Sequence, residues 1–77
     1  MADALNKHSP VPLHEQLAAL LRARIASGQL AGKVPSILTL AQQFEVSHRT
    51  SARALEALRT EGLIVSARGK GYYVADG

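Results

Sequence analysis

Over most of the chain apolar residues recur at helical spacing. Near the C-terminal end they give way to short β-prone runs. Leu17, Ala18, Leu21 and Ile25 mark one face of a first helix, predicted from Leu13 to Ser27, with Pro12 ahead of it and Gly28 where a left-handed stop belongs. Gln29 to Pro35 reads as a connector broken by Gly32 and Pro35. Ser36 has the chemistry of an N-cap, because its hydroxyl can accept from backbone N–H groups that the helix start leaves unpaired. Ile37, Leu40, Ala41 and Phe44 then share one face of a short helix that ends at about Phe44. Glu45 and Val46 form a tight turn, Ser47 is a second N-cap, and a third helix runs from His48 to about Glu61, stopping at Gly62. Leu63 to Ser66 and Tyr72 to Ala75 are β-prone and flank the Gly-containing loop Ala67 to Gly71, the pattern of a hairpin. The fold class predicted is mainly α with a small β-hairpin. Residues 1–11 read as a flexible N-terminal arm, and residues 12–75 as the folded domain.

An angular reading of the third helix separates two sides. At 100° per residue, Arg53 falls about 40° from Arg49, while Ser51, Ala54, Leu55 and Leu58 gather on the opposite side. One side is therefore core, and the other offers Arg49 and Arg53, with Thr50 between the two. An ion pair between Arg53 and Glu56, one helical turn apart, is the ordinary alternative for this face. The hairpin tip adds Arg68 and Lys70 between glycines, which lets cationic side chains approach a narrow groove without Cβ clashes.

Charge sharpens this picture. The 77 residues hold 9 Lys and Arg against 6 Asp and Glu, a net charge of +3. The excess is unevenly placed. Up to Glu45, the cations Lys7, Arg22, Arg24 and Lys33 nearly balance Asp3, Glu15 and Glu45. Between Val46 and Val74, Arg49, Arg53, Arg59, Arg68 and Lys70 outnumber Glu56 and Glu61. A basic face of this kind suits a polyanion.

Composition excludes several classes. With no Cys there is no disulfide framework and no thiolate zinc site. Aromatic residues are only 4% of the chain, too few for a base-stacking platform. His8, His14 and His48 lack ligand spacing, and His14 reads as packed against the first helix's apolar face, so no metal and no cofactor is expected. Gly69-Lys70-Gly71 lacks the spacer and following helix of a phosphate loop. Neither a nucleophile elbow nor a carboxylate pair is present, so an enzyme is not expected. The polar first ten residues do not form a signal peptide, and no apolar run reaches the ~20 residues of a membrane span. The default is a soluble cytoplasmic protein with no membrane partner.

A short helix, a tight turn and a second helix opening with Ser, His, Arg and Thr make the helix-turn-helix plan, in which the second helix reads base edges in the major groove. At this point the sequence resembles the DNA-binding domain of GntR-type bacterial transcription regulators, a winged helix-turn-helix. The likeness runs from about Val11 to Val74. It is carried by Pro12-Leu13-His14-Glu15-Gln16-Leu17, Ile25-Ala26-Ser27-Gly28-Gln29-Leu30, Val34-Pro35-Ser36, Leu40 to Ser47, Glu61-Gly62-Leu63-Ile64 and Gly69-Lys70-Gly71-Tyr72-Tyr73-Val74. The resemblance implies sequence-specific binding to double-stranded DNA by a homodimer on an inverted repeat, usually as a repressor. The candidate DNA-binding residues are Ser36, Ser47, His48, Arg49, Thr50, Arg53, Arg68, Gly69 and Lys70. By the same likeness Tyr73 belongs to the core and Tyr72 is the more exposed of the pair.

The departures are informative. The family usually carries arginines where this chain has Leu38, His48 and Ala52, and an apolar residue where it has Ser51. The resemblance thus implies an unusual operator or a weaker intrinsic affinity. The rival reading is a winged helix for protein–protein interaction, or a non-specific DNA-positioning module. Full-length members carry a C-terminal effector or dimerisation domain, so a chain that ends just after the wing corresponds to a truncated form or a stand-alone small regulator.

Overall fold

The computed structural model describes residues 5–75. Three helices, α1 (Leu13–Ser27), α2 (Ile37–Phe44) and α3 (His48–Thr60), precede two strands, β1 (Ile64–Ala67) and β2 (Gly71–Val74). The caps explain the boundaries. Pro12 has no N–H to lose, and its carbonyl accepts from the N–H groups of Glu15 and Gln16 at 3.0 and 3.1 Å. α1 ends at Gly28, whose φ of 82° is the left-handed conformation that glycine adopts without Cβ strain. The Ser36 hydroxyl accepts from the Thr39 N–H at 3.1 Å, and that of Ser47 from the Thr50 N–H at 3.0 Å. α3 closes one residue earlier than the spacing predicts, with Glu61 as its cap. The N–H groups of Gly62 and Leu63 then donate back to the carbonyls of Arg59 and Leu58, each at 3.0 Å, which satisfies carbonyls the helix end would leave open.

The tight turn between α2 and α3 is built on Glu45, which takes φ 55°. A left-handed non-glycine residue costs roughly 1–2 kcal/mol. The N–H of Val46 returns to the Ala41 carbonyl at 3.0 Å, and Lys7 Nζ donates to the Glu45 carbonyl at 2.8 Å. Residues of the N-terminal segment thus help hold the turn. Gln16 reinforces this segment from α1, accepting from the Asn6 N–H and donating to the Asn6 and Val11 carbonyls. Leu5 packs on the edge of the core. Residues 1–4, the start of the predicted arm, and residues 76–77 lie outside the described residues.

α1 and α2 both pack against α3. Leu17 and Leu21 of α1, Leu40 and Phe44 of α2, and Ala54, Leu55 and Leu58 of α3 form the buried cluster, closed by Val34 and Ile64. Burying one such leucine stabilises the fold by about 1.5–3 kcal/mol. The buried face of α3 is the one its periodicity predicts, Ser51, Ala54, Leu55 and Leu58.

β1 and β2 pair antiparallel, with Ile64 opposite Val74 and Ala67 opposite Gly71. Both strands are displaced from the predicted runs by one residue towards the loop, so the connection shortens to Arg68, Gly69 and Lys70. Two expectations are corrected here. The connector Gln29–Pro35 is not merely a link, since Lys33 bridges to Tyr73 and adds a third, edge segment to the sheet. The N–H of Val34 donates to the Tyr72 carbonyl at 2.9 Å, and that of Val74 to the Gly32 carbonyl at 2.8 Å. The two tyrosines also exchange places. Alternate residues of a strand face opposite ways, and Ile64 and its partner Val74 face the core, so Tyr72 packs inward and Tyr73 lies outward with Val65. The result is a helix-turn-helix followed by a wing.

Candidate nucleic-acid interface

The start of α3 owes its geometry to Ser47. Its hydroxyl accepts from the Thr50 N–H and donates to Thr50 Oγ1, both at 3.0 Å. The Ser47 hydroxyl is therefore engaged within its own helix. Ser36 repeats the arrangement at α2, donating to Thr39 Oγ1 at 3.0 Å. Thr39, exposed at the start of α2, carries the matching hydroxyl and was not singled out in the sequence. Helix N-termini carry free N–H groups and the positive end of the macrodipole, an arrangement suited to phosphate.

His48, Arg49 and Arg53 are exposed on α3, on the side away from the core. The alternative of an Arg53–Glu56 pair is not what forms. Glu56 turns instead to Arg59, whose Nε donates to it at 2.9 Å in a bidentate pair. The acid then lies on the N-terminal side of the base, the better orientation along a helix. That hydrogen bond holds the Glu56 carboxyl below its ordinary range and the Arg59 guanidinium above its own. Neither Arg49 nor Arg53 has an ion pair among the described residues. At the other end of α3, Arg22 of α1 grips Glu61 with two bonds of 2.8 and 2.5 Å. This hydrogen bonding lowers the Glu61 pKa. The acids of α3 are thus paired with cations placed away from its opening turn.

The wing tip is a tight turn in which the Lys70 N–H donates to the Ala67 carbonyl at 2.9 Å. Its third residue, Gly69, takes φ 72°, the conformation a type II turn requires there. Arg68 and Lys70 flank it, both exposed. The sheet adds a cation that the sequence reading counted only as charge. Lys33 stands beside Tyr73 on the wing, and nothing in its local sequence announces this, because its partner is forty residues away.

Among the described residues no cluster of three His, Asp or Glu side chains is placed to hold a metal. No helix among them is long and apolar enough to cross a membrane. A groove of about 730 Å³ lies between the N-terminal segment, α1 and α3, lined by Val11, His14, Ala19 and Ala57 among others. None of the candidate DNA-binding residues lines it.

Comparison with known proteins bears on this surface. The sequence profile described as "Bacterial regulatory proteins, gntR family" matches residues 13–74. The HTH-type transcriptional repressor NagR of Bacillus subtilis is 36% identical over 92% of this chain and 30% of its own length. The histidine utilization repressor of Klebsiella aerogenes is 35% identical over 91% of this chain and 30% of its own. The chain thus spans about a third of the length of these relatives. Among solved structures, the AraR DNA-binding domain in complex with operator ORX1 superposes with a TM-score of 0.85 at 30% identity, covering 94% of both chains. YtrA of Sulfolobus acidocaldarius, a GntR-family transcription factor, superposes at 0.89 with 30% identity, covering 100% of this chain and 83% of that one. With the three helices, the turn and the wing in the same order, this chain belongs to the gntR family of bacterial regulatory proteins.

Proposed function

We propose that this chain is the DNA-reading domain of a bacterial transcription regulator, and that it binds double-stranded DNA sequence-specifically. The observation that carries this reading is the exposed face of α3. It offers Arg49 and Arg53 without internal ion pairs among the described residues, opposite a fully buried core face. In this reading His48, Arg49, Thr50 and Arg53 enter the major groove, where an arginine can grip guanine O6 and N7 with two hydrogen bonds. Arg68, Gly69 and Lys70 follow the adjacent minor groove or the phosphates. Ser36 and Ser47 turn the N-termini of α2 and α3 towards the backbone. The AraR domain, of the same fold at 30% identity, is known in complex with its operator, which supports duplex DNA as the ligand.

The regulator acts as a homodimer on an inverted repeat, in the cytoplasm and on the nucleoid. Its role is repression, in keeping with the relatives named as repressors. No cofactor and no catalytic step enters the reading.

The test is selection from a randomised duplex library at about 150 mM salt, where non-specific affinity is only ~10⁻⁴–10⁻⁶ M. Enrichment of an inverted repeat is the expected result. A pool that stays random, with all binding lost as salt rises, overturns base readout and favours the rival, a protein-interaction or DNA-positioning module.

A further inference from the structure

Lys33 is the cation that neither the periodicity nor the helix-turn-helix plan accounts for. Its backbone lies antiparallel to β2 opposite Tyr73. The flanking hydrogen bonds, Val34 N–H to the Tyr72 carbonyl and Val74 N–H to the Gly32 carbonyl, bracket the Lys33–Tyr73 pair rather than joining it. Such a pair brings the two Cα atoms to about 4.5 Å and sets both side chains on one face of the sheet. Gly71 lies two residues before Tyr73 and so shares that face. A methyl group placed on Gly71 would sit 3.8 Å from Lys33 Cε. The lysine stem therefore runs diagonally over the space that glycine leaves open, from Tyr73 towards the hairpin tip. Gly71 directly follows Lys70, so the Lys33 ammonium is carried towards Arg68 and Lys70. Lys33 is exposed, and its Nζ has no hydrogen bond or ion pair among the described residues.

We propose that Lys33 is a third cation of the wing and binds the DNA backbone phosphates beside those met by Arg68 and Lys70. The inference rests on the reading of this chain as a duplex DNA binder, and it adds a ligand group and a residue to it. The chemistry favours phosphate over a base edge. An ammonium is a point charge without the planar fork that arginine brings to guanine. Part of the usual cost of ordering a long side chain is also met beforehand, because the stem already lies on the sheet.

The test uses the whole chain and a labelled duplex of arbitrary sequence, since a phosphate contact is indifferent to sequence. Affinity is measured from about 50 to 200 mM salt for the wild type, Lys33→Met, Lys33→Arg and Lys70→Met. Methionine keeps the stem over Gly71 and removes the charge. Each lost phosphate contact lowers the slope of log K against log salt by about 0.9. Over a fourfold change in salt, the affinity advantage of the wild type over Lys33→Met then shrinks roughly 3.5-fold. Lys33→Arg should run parallel to the wild type, and thermal melting should show every variant folded. A Lys33→Met slope equal to the wild type's, beside a reduced slope for Lys70→Met, overturns the role of Lys33 and leaves DNA binding standing. A wild type that does not retain the duplex even at 50 mM salt overturns the functional reading itself, and this inference with it.

Discussion

Ser51 offers a sharp test of the packing argument. It is 0% exposed, in the middle of the core face of α3, and its hydroxyl has no hydrogen-bond partner. A buried, unsatisfied polar group costs about 1–3 kcal/mol. Ser51→Ala removes that cost and adds a few tenths of a kcal/mol of helix propensity. Against this stands the void left by one oxygen, on the order of 15 Å³, which at about 24 cal/mol per Å³ costs ~0.4 kcal/mol. The net effect should be a gain of about 1–3 kcal/mol, which for a domain of this size raises the melting temperature by roughly 4–24 °C. Urea unfolding followed by helical circular dichroism measures it, and the midpoint should rise with the slope unchanged. DNA affinity should stay constant, because Ser51 faces away from Arg49 and Arg53. An unchanged or lower midpoint would refute the reasoning. It would mean that the hydroxyl bonds back to the Ser47 carbonyl, one turn earlier, and was never unsatisfied.

Three further outcomes are expected. Ser47→Ala should lower stability by about 1 kcal/mol through loss of the α3 cap, while Ser47→Asp should retain most of it, both read from the urea midpoint. Arg49→Ala should relax specificity at a single base position by ~1–3 kcal/mol, whereas Lys70→Ala should weaken all sequences alike; a scan of single-base changes in the selected operator distinguishes them, and the same pattern from both would undo that division of labour. The Arg22–Glu61 pair makes stability depend on pH. Because the Glu61 pKa is depressed below 4.5 in the fold, the pair's contribution is complete above that value and is lost as pH falls through the lowered one, so the melting temperature of Glu61→Gln should drop less than the wild type's between pH 7 and pH 3.

Much of the architecture was legible along the chain, for local reasons. Helix ends are decided by the residues that cap them, so Ser36, Ser47 and Gly28 mark their boundaries without reference to anything distant. The core face of α3 follows from 3.6-residue periodicity, and the exposed side bearing Arg49 and Arg53 follows from the same geometry. The fate of Glu56 was less legible, because arginines stand one turn away in both directions and sequence spacing alone does not choose between them.

The wing shows where tertiary structure took over. Strand residues alternate faces with a period of two, so the packing of Ile64 and Val74 on the core sent Tyr72 inward and Tyr73 outward, the reverse of what the family likeness implies. The edge segment at Lys33 is too short for any periodicity, and its hydrogen bonds come from β2, far along the chain. Lys7 likewise reaches the Glu45 carbonyl only once α1 and α2 have brought the two segments together. The helices, their caps and the basic side of α3 follow from residue order alone, because capping and periodicity act within a few residues. The folded chain alone decided which strand face meets the core and which cation joins the wing, because both depend on backbone pairing between segments that sequence proximity does not connect.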